Sequence, residues 1–124
     1  MKISILLPYK ENYSPEYAGA VSLFIKAVSD NSLYKNQLTI FGSTNFKKKL
    51  SKNYINIPLN KKFLSSQSKD YVDKFIKLQL QHKPNIIEVH NRPIYIKNLI
   101  RLKSKIVLYF HNDPITMDGS RTNN

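Results

Sequence analysis

KIVLYFHNDP, residues 105–114, carries a strand-like apolar run straight into histidine, asparagine, aspartate and proline. NIIEVHNRP, residues 85–93, does the same, ending in His-Asn with a proline close behind. Short apolar runs bounded by turn residues read as buried strands, and a proline ends each of them. Two strands with matching reactive tips need a common explanation. A parallel sheet supplies one, because it delivers the C-terminal ends of its strands to a single rim.

Outward from these two stretches, the rest of the chain alternates in the same way. KISILL at 2–7 is apolar and partly β-branched, as a central strand covered on both faces would be, and Pro8 ends it. In the following loop, Ser14 and Pro15 stand in the order of a helix cap and a first-turn proline. Residues 18–30 set Val21, Phe24, Ile25 and Val28 on one helical stripe. QLTIFG at 37–42 predicts a second strand and NYINIPL at 53–59 a third, although the residues between them are few for a helical crossover. Residues 68–82 predict an amphipathic helix with Val72, Phe75, Ile76 and Leu80 inward. IIEVH is the fourth strand, residues 93–103 a helix with Ile96, Leu99 and Ile100 inward, and KIVLYF at 105–110 the fifth strand. This alternation predicts an α/β domain, a three-layer, Rossmann-like, mostly parallel sheet. Ligands of such sheets bind at the C-terminal rim where strand order reverses. The loop after the first strand, His90 and His111 all fall there and are expected to share one crevice.

Length and composition set the bounds. A chain of 124 residues suits one domain, and burying roughly two thirds of its unfolded surface gives it a core. With 41% hydrophobic residues, 3 Gly and 6 Pro it is neither disordered nor fibrous. The absence of cysteine excludes disulfides, thiolate nucleophiles and Cys-based metal sites. The first residues hold too short an apolar run for a signal-peptide core or a membrane span. The expectation is a soluble, cytoplasmic protein that at most touches the inner face of a membrane from the side. The net charge of +12 attracts anionic partners. Seventeen of the 20 basic residues are lysine, however, which serves solvated surfaces better than bidentate recognition of phosphate or bases. The basic runs at 47–49 and 61–62 fall in loops outside any nucleic-acid motif, so solvated loop charge explains them better than a nucleic-acid stripe, with a membrane-facing patch as an alternative.

His111 is the first candidate for chemistry. Neutral, its ring accepts a hydrogen bond or a proton from a hydroxyl, and protonated, it faces a phosphate; the alternative is a histidine that merely closes its loop. His90 has the same position one strand away, or else orients the loop with Asn91 and Arg92. Arg92 offers a rigid fork for a carboxylate or phosphate, or a surface ion pair with Glu88 or Asp113. Asn112, Asp113 and, further on, Asp118 extend the last tip, where aspartates can bind sugar hydroxyls or simply shape a turn. Gly19, at the start of the first helix, lets a ligand approach unpaired backbone N–H groups, or permits close packing. Tyr9, Tyr13 and Tyr17 cluster around the first loop and can stack on a sugar or pack as ordinary interface aromatics. No GxGxxG or GxxxxGK[ST] pattern is present, and the three histidines lack metal-site spacing, with His82 expected at the opposite end of the sheet.

Taken together, MKISILLPYKENYSPEYAGAVSLFI, PNIIEVHNRP and IVLYFHNDPITMDGS resemble, in order and spacing, the N-terminal half of a family 4 retaining glycosyltransferase of the GT-B fold. That resemblance spans most of residues 1–120. It implies transfer of a sugar from a nucleotide-diphosphate donor to a glycan or lipid-linked acceptor, as in lipopolysaccharide or other surface polysaccharide synthesis, with no resident cofactor. It implies that His111 lies beside the transferred sugar, that Gly19 belongs to the loop nearest the donor phosphates, and that the segment from His90 through Arg92 to Pro93 is acceptor-side or structural; Tyr13, Asn112 and Asp113 complete the candidate substrate-binding set. Relatives often have two adjacent glycines where this chain has Ala18-Gly19. The family's second α/β domain, which supplies most nucleotide contacts, has no counterpart in residues 1–124. The resemblance therefore implies a partial, acceptor-side domain without independent turnover, whose sheet a partner or a second copy would cover. The alternatives are a noncatalytic α/β module for sugars, nucleotides or anionic surfaces and, on charge alone, a nucleic-acid-binding protein.

Overall fold

A computed structural model of the chain describes residues 1–59 and 67–113. Five strands form one parallel sheet: β1 (Ile3–Leu6), β2 (Leu38–Gly42), β3 (Tyr54–Asn56), β4 (Ile86–His90) and β5 (Lys105–Tyr109). Their order is β3-β2-β1-β4-β5, so the direction of travel reverses at β1. Helix α1 (Ala20–Asp30) covers one face, and α2 (Gln67–His82) with the short α3 (Ile96–Leu99) covers the other. This is the three-layer, Rossmann-like topology that the alternating sequence predicts.

Strand alternation assigns each residue to a layer. Ile3, Ile5, Leu38 and Ile40 join Val21 and Ile25 of α1, while Leu6, Phe41, Ile87 and Val89 join Tyr71, Phe75 and Leu99 on the opposite face. β1 is buried at every position, as a central strand must be. Full burial of side chains such as Phe75 or Ile87 contributes roughly 1.5–3 kcal/mol each.

Several local expectations shift. α1 buries Val21, Ser22, Ile25 and Ser29, leaving Phe24 and Val28 partly exposed instead of inward. In α2, Gln79 takes the buried place expected for Leu80, because its Oε1 accepts a hydrogen bond from the buried Ser4 hydroxyl at 2.6 Å. A polar side chain with a buried partner outranks an apolar one without. Ser14 and Pro15 do not start α1: Ser14 Oγ accepts the Glu16 N–H inside the loop, and the helix begins after Gly19. The helix expected over 93–103 shrinks to a 3₁₀ turn, Pro93–Tyr95, followed by α3, and Ile100 faces solvent while Tyr95 is buried in its stead. The link from β2 to β3 contains no helix. Lys49 holds it by donating to the Thr44 and Phe46 carbonyl oxygens. β5 is not buried on both faces: Ile106 and Leu108 meet the α2 side, while Val107 and Tyr109 remain 39% and 41% exposed. Asp118 and the pair Lys61–Lys62 lie outside the described residues.

Candidate functional site

The two His-Asn tips meet. β4 and β5 run in register, His90 opposite Tyr109, so each strand delivers its next residues to the same point on the rim. Asn91 leaves β4 at φ 59°, a left-handed conformation that asparagine tolerates better than most residues. Its backbone N–H donates to the Tyr109 carbonyl at 2.8 Å, and its side-chain oxygen accepts the His111 N–H at 3.1 Å. Its amide nitrogen donates to Asn112 Oδ1 at 2.7 Å. Asparagine is thereby joined to asparagine, and beside them His90 Nδ1 lies 2.8 Å from His111 Nε2. The recurrence of His-Asn at the two strand ends is explained by this direct pairing.

Glu88 extends the chain of contacts inward. As the residue two before His90 it projects from the same face of β4, and its Oε1 lies 2.5 Å from His90 Nε2. Tyr109 stacks on the His90 ring with centroids 5.2 Å apart, and Phe24 of α1 presents its ring edge-on to His111 at 5.0 Å. His90 is 1% exposed and His111 half-buried. Burial pushes the His111 pKa below the ordinary histidine value, a proton on His90 would push it the same way, and Glu88 opposes both. The group at the rim is therefore a neutral imidazole near pH 7, suited to accept a hydrogen bond from a hydroxyl.

The other candidates are distributed differently. Arg92 donates from Nη1 to the Asn91 carbonyl at 2.7 Å and opens the turn that leads to α3, while Glu88 pairs with His90. Asn112 and Asp113 are exposed at the β5 tip. Tyr13 belongs to the core: it is completely buried, stacks on Tyr54 at 5.0 Å, and bonds through its hydroxyl to Ser51. Burial raises its pKa, and its enclosure leaves no face for a substrate.

Gly19 caps α1, but its open side is taken by Glu11. A Cβ added there would fall 1.7 Å from Glu11 Oε2, the same oxygen that accepts the Ser22 hydroxyl at 2.9 Å. The resident group is the chain's own carboxylate, and a side chain at position 19 would have to displace the flexible end of Glu11. Among the described residues, the hollow of about 200 Å³ that Glu88 and His90 line with Phe24 and Ile25 is distinct from the one lined by the loop after β1. A separate cleft of about 550 Å³ opens on the β2–β3 side of the rim, lined by Tyr9, Lys10, Asn12, Tyr17, Asn45 and Phe46 among others. Lys10 and Tyr17 both carry positive φ, 68° and 55°, and Tyr17 is 87% exposed beside the Phe46 ring. His82 sits at the opposite end of the sheet, where its carbonyl accepts from Lys2.

Sequence reasoning missed Glu88 and Phe24 as parts of the histidine site, and Asn91 as its clasp. The two-residue spacing of Glu88 and His90 on a strand is a readable signal. The Phe24 contact depends on the roll of α1, which the stripe misplaced. Among the described residues, no helix is long and apolar enough to cross a membrane, and no cluster of three or more His, Asp or Glu is arranged as metal ligands. No protein-family model matches this sequence, and no curated protein matches it. The fold itself is of the generic Rossmann-like α/β kind, consistent with a module that binds nucleotides or sugars.

Proposed function

We propose that the chain is the acceptor-side domain of a GT-B glycosyltransferase, resembling the retaining family 4 enzymes, which holds a glycan or lipid-linked acceptor for a nucleotide-diphosphate sugar. The observation that carries this reading is the pairing of His90 with His111 and Asn91 with Asn112 at the rim beside the strand-order reversal. It fixes a neutral imidazole at a point where a sugar hydroxyl can be received, next to amide groups suited to further hydroxyls. The cleft walled by Tyr9, Tyr17 and Phe46 adds aromatic surface of the kind that packs on sugar rings. Such a site works by positioning and electrostatics. It needs a second α/β domain across the rim to supply the donor nucleotide contacts. Gly19 serves a donor phosphate only once Glu11 has moved away.

The test is an NMR titration of the chain with the methyl glycosides of glucose, galactose and N-acetylglucosamine and, separately, with UDP and GDP. Saturable shifts at the His90 and His111 ring signals with at least one glycoside, with the His90 shifts lost in His111→Ala, are the expected result. Absence of saturable binding to every glycoside, or salt-sensitive RNA binding that survives His111→Ala, would overturn it.

A further inference from the structure

The three side chains Glu88, His90 and His111 form a line whose protons are fixed from its inner end. A carboxylate only accepts hydrogen bonds, so His90 Nε2, 2.5 Å from Glu88 Oε1, carries a hydrogen. With His90 in its neutral form, the lone pair lies on Nδ1. That lone pair faces His111 Nε2 at 2.8 Å, so His111 must carry its own hydrogen on Nε2. The opposite assignment would set the His90 Nε2 lone pair against the carboxylate. What remains at the outer end is His111 Nδ1, unprotonated and, among the described residues, without a hydrogen bond.

We propose that Glu88 and His90 are positioning residues that lock His111 in its Nε2–H tautomer, leaving Nδ1 as the acceptor for a sugar hydroxyl and the three residues as an inward proton relay. This rests on the glycosyl-transfer reading for its substrate class. The transfer balances. The hydroxyl proton passes to His111 Nδ1 while the Nε2 proton of His111 passes to His90 Nδ1. The hydroxyl oxygen keeps the electron pair and bonds the sugar carbon, and the bond from that carbon to the nucleoside diphosphate breaks with its pair on the leaving group. The positive charge ends on His90, next to Glu88, and His111 is neutral before and after. The placement suits the surroundings. Burial and the neighbouring His90 disfavour a cation on His111, whereas His90, 1% exposed, has a carboxylate against it. Phe24 and Tyr109 border the relay and bring no fixed charge to it.

Long-range ¹H–¹⁵N correlation spectra of the full chain at pH 7.5, without ligand, test the lock directly. Both histidines should show protonated Nε2 and unprotonated Nδ1. In Glu88→Ala the Nδ1–H form of His111 should rise severalfold. In Glu88→Gln, whose carbonyl oxygen can still accept from His90 Nε2, the wild-type pattern should largely return. A wild-type His111 protonated on Nδ1, or tautomer ratios unmoved in Glu88→Ala, would overturn the assignment. The wild-type measurement decides even if the alanine variant does not fold. Because no glycan is present, the outcome is independent of the glycoside titrations. A locked tautomer in a chain that binds no glycoside would remove the substrate class and keep the relay, while binding with an unlocked tautomer would do the reverse.

Discussion

The two faces of the sheet are built on different terms. On the α2 and α3 side, Leu6, Phe41, Phe75, Ile87, Val89 and Leu99 are at most 1% exposed and form one continuous layer. On the α1 side, the helix covers β1 and β2 and then stops short. Val107 and Tyr109 of β5 remain 39% and 41% exposed, and Phe24 and Val28 line the margin at 36% and 50%. The first face concentrates the stability. The second places a carboxylate and two histidines where cover thins, dry enough to strengthen their contacts and open enough to be reached.

Substitutions on the two faces should therefore behave differently. Phe75→Ala removes a fully buried ring from the closed layer, and urea unfolding should show a loss of about 3–5 kcal/mol. A loss below about 1 kcal/mol would mean that this layer is looser than its burial implies. Asn91→Gly keeps the left-handed backbone but deletes the bonds to Asn112 and to the His111 N–H. The same measurement should register about 1–2 kcal/mol, with the His111 ring resonances moving while those of the α2 core stay in place. Movement of both sets together would erase the distinction between structural face and chemical face. Val107→Thr, on the open side, should change stability by no more than about 0.5 kcal/mol. A penalty like that of Phe75→Ala would show that something covers β5 in solution.

The strands were the most legible part of the sequence. Apolar runs ending at Pro8, Gly42 and the His-Asn tips mark β1, β2, β4 and β5 within a residue or two, because period and punctuation are local properties. Helix faces were less legible. Ser22, Ser29 and Gln79 displace Phe24, Val28 and Leu80 from the interior; for Gln79 the reason is its partner Ser4, 75 residues away, and no helical stripe records such a bond. At the site, the repeated His-Asn pointed to one rim. The contact of His90 with His111 needed the parallel register of β4 and β5, and the burial of Tyr13 needed the stacked Tyr54 that β3 provides.

The carboxylate of Glu11 under Gly19 has a consequence for any anion that approaches the start of α1. Being covalently tethered, Glu11 competes at an effective concentration that no dilution lowers. A phosphate there would bind only as well as it can outcompete this resident rival, and its arrival would be coupled to a rearrangement of the loop between Pro8 and Gly19. Occupancy at that spot would thus report on the loop's conformation as much as on the ligand itself.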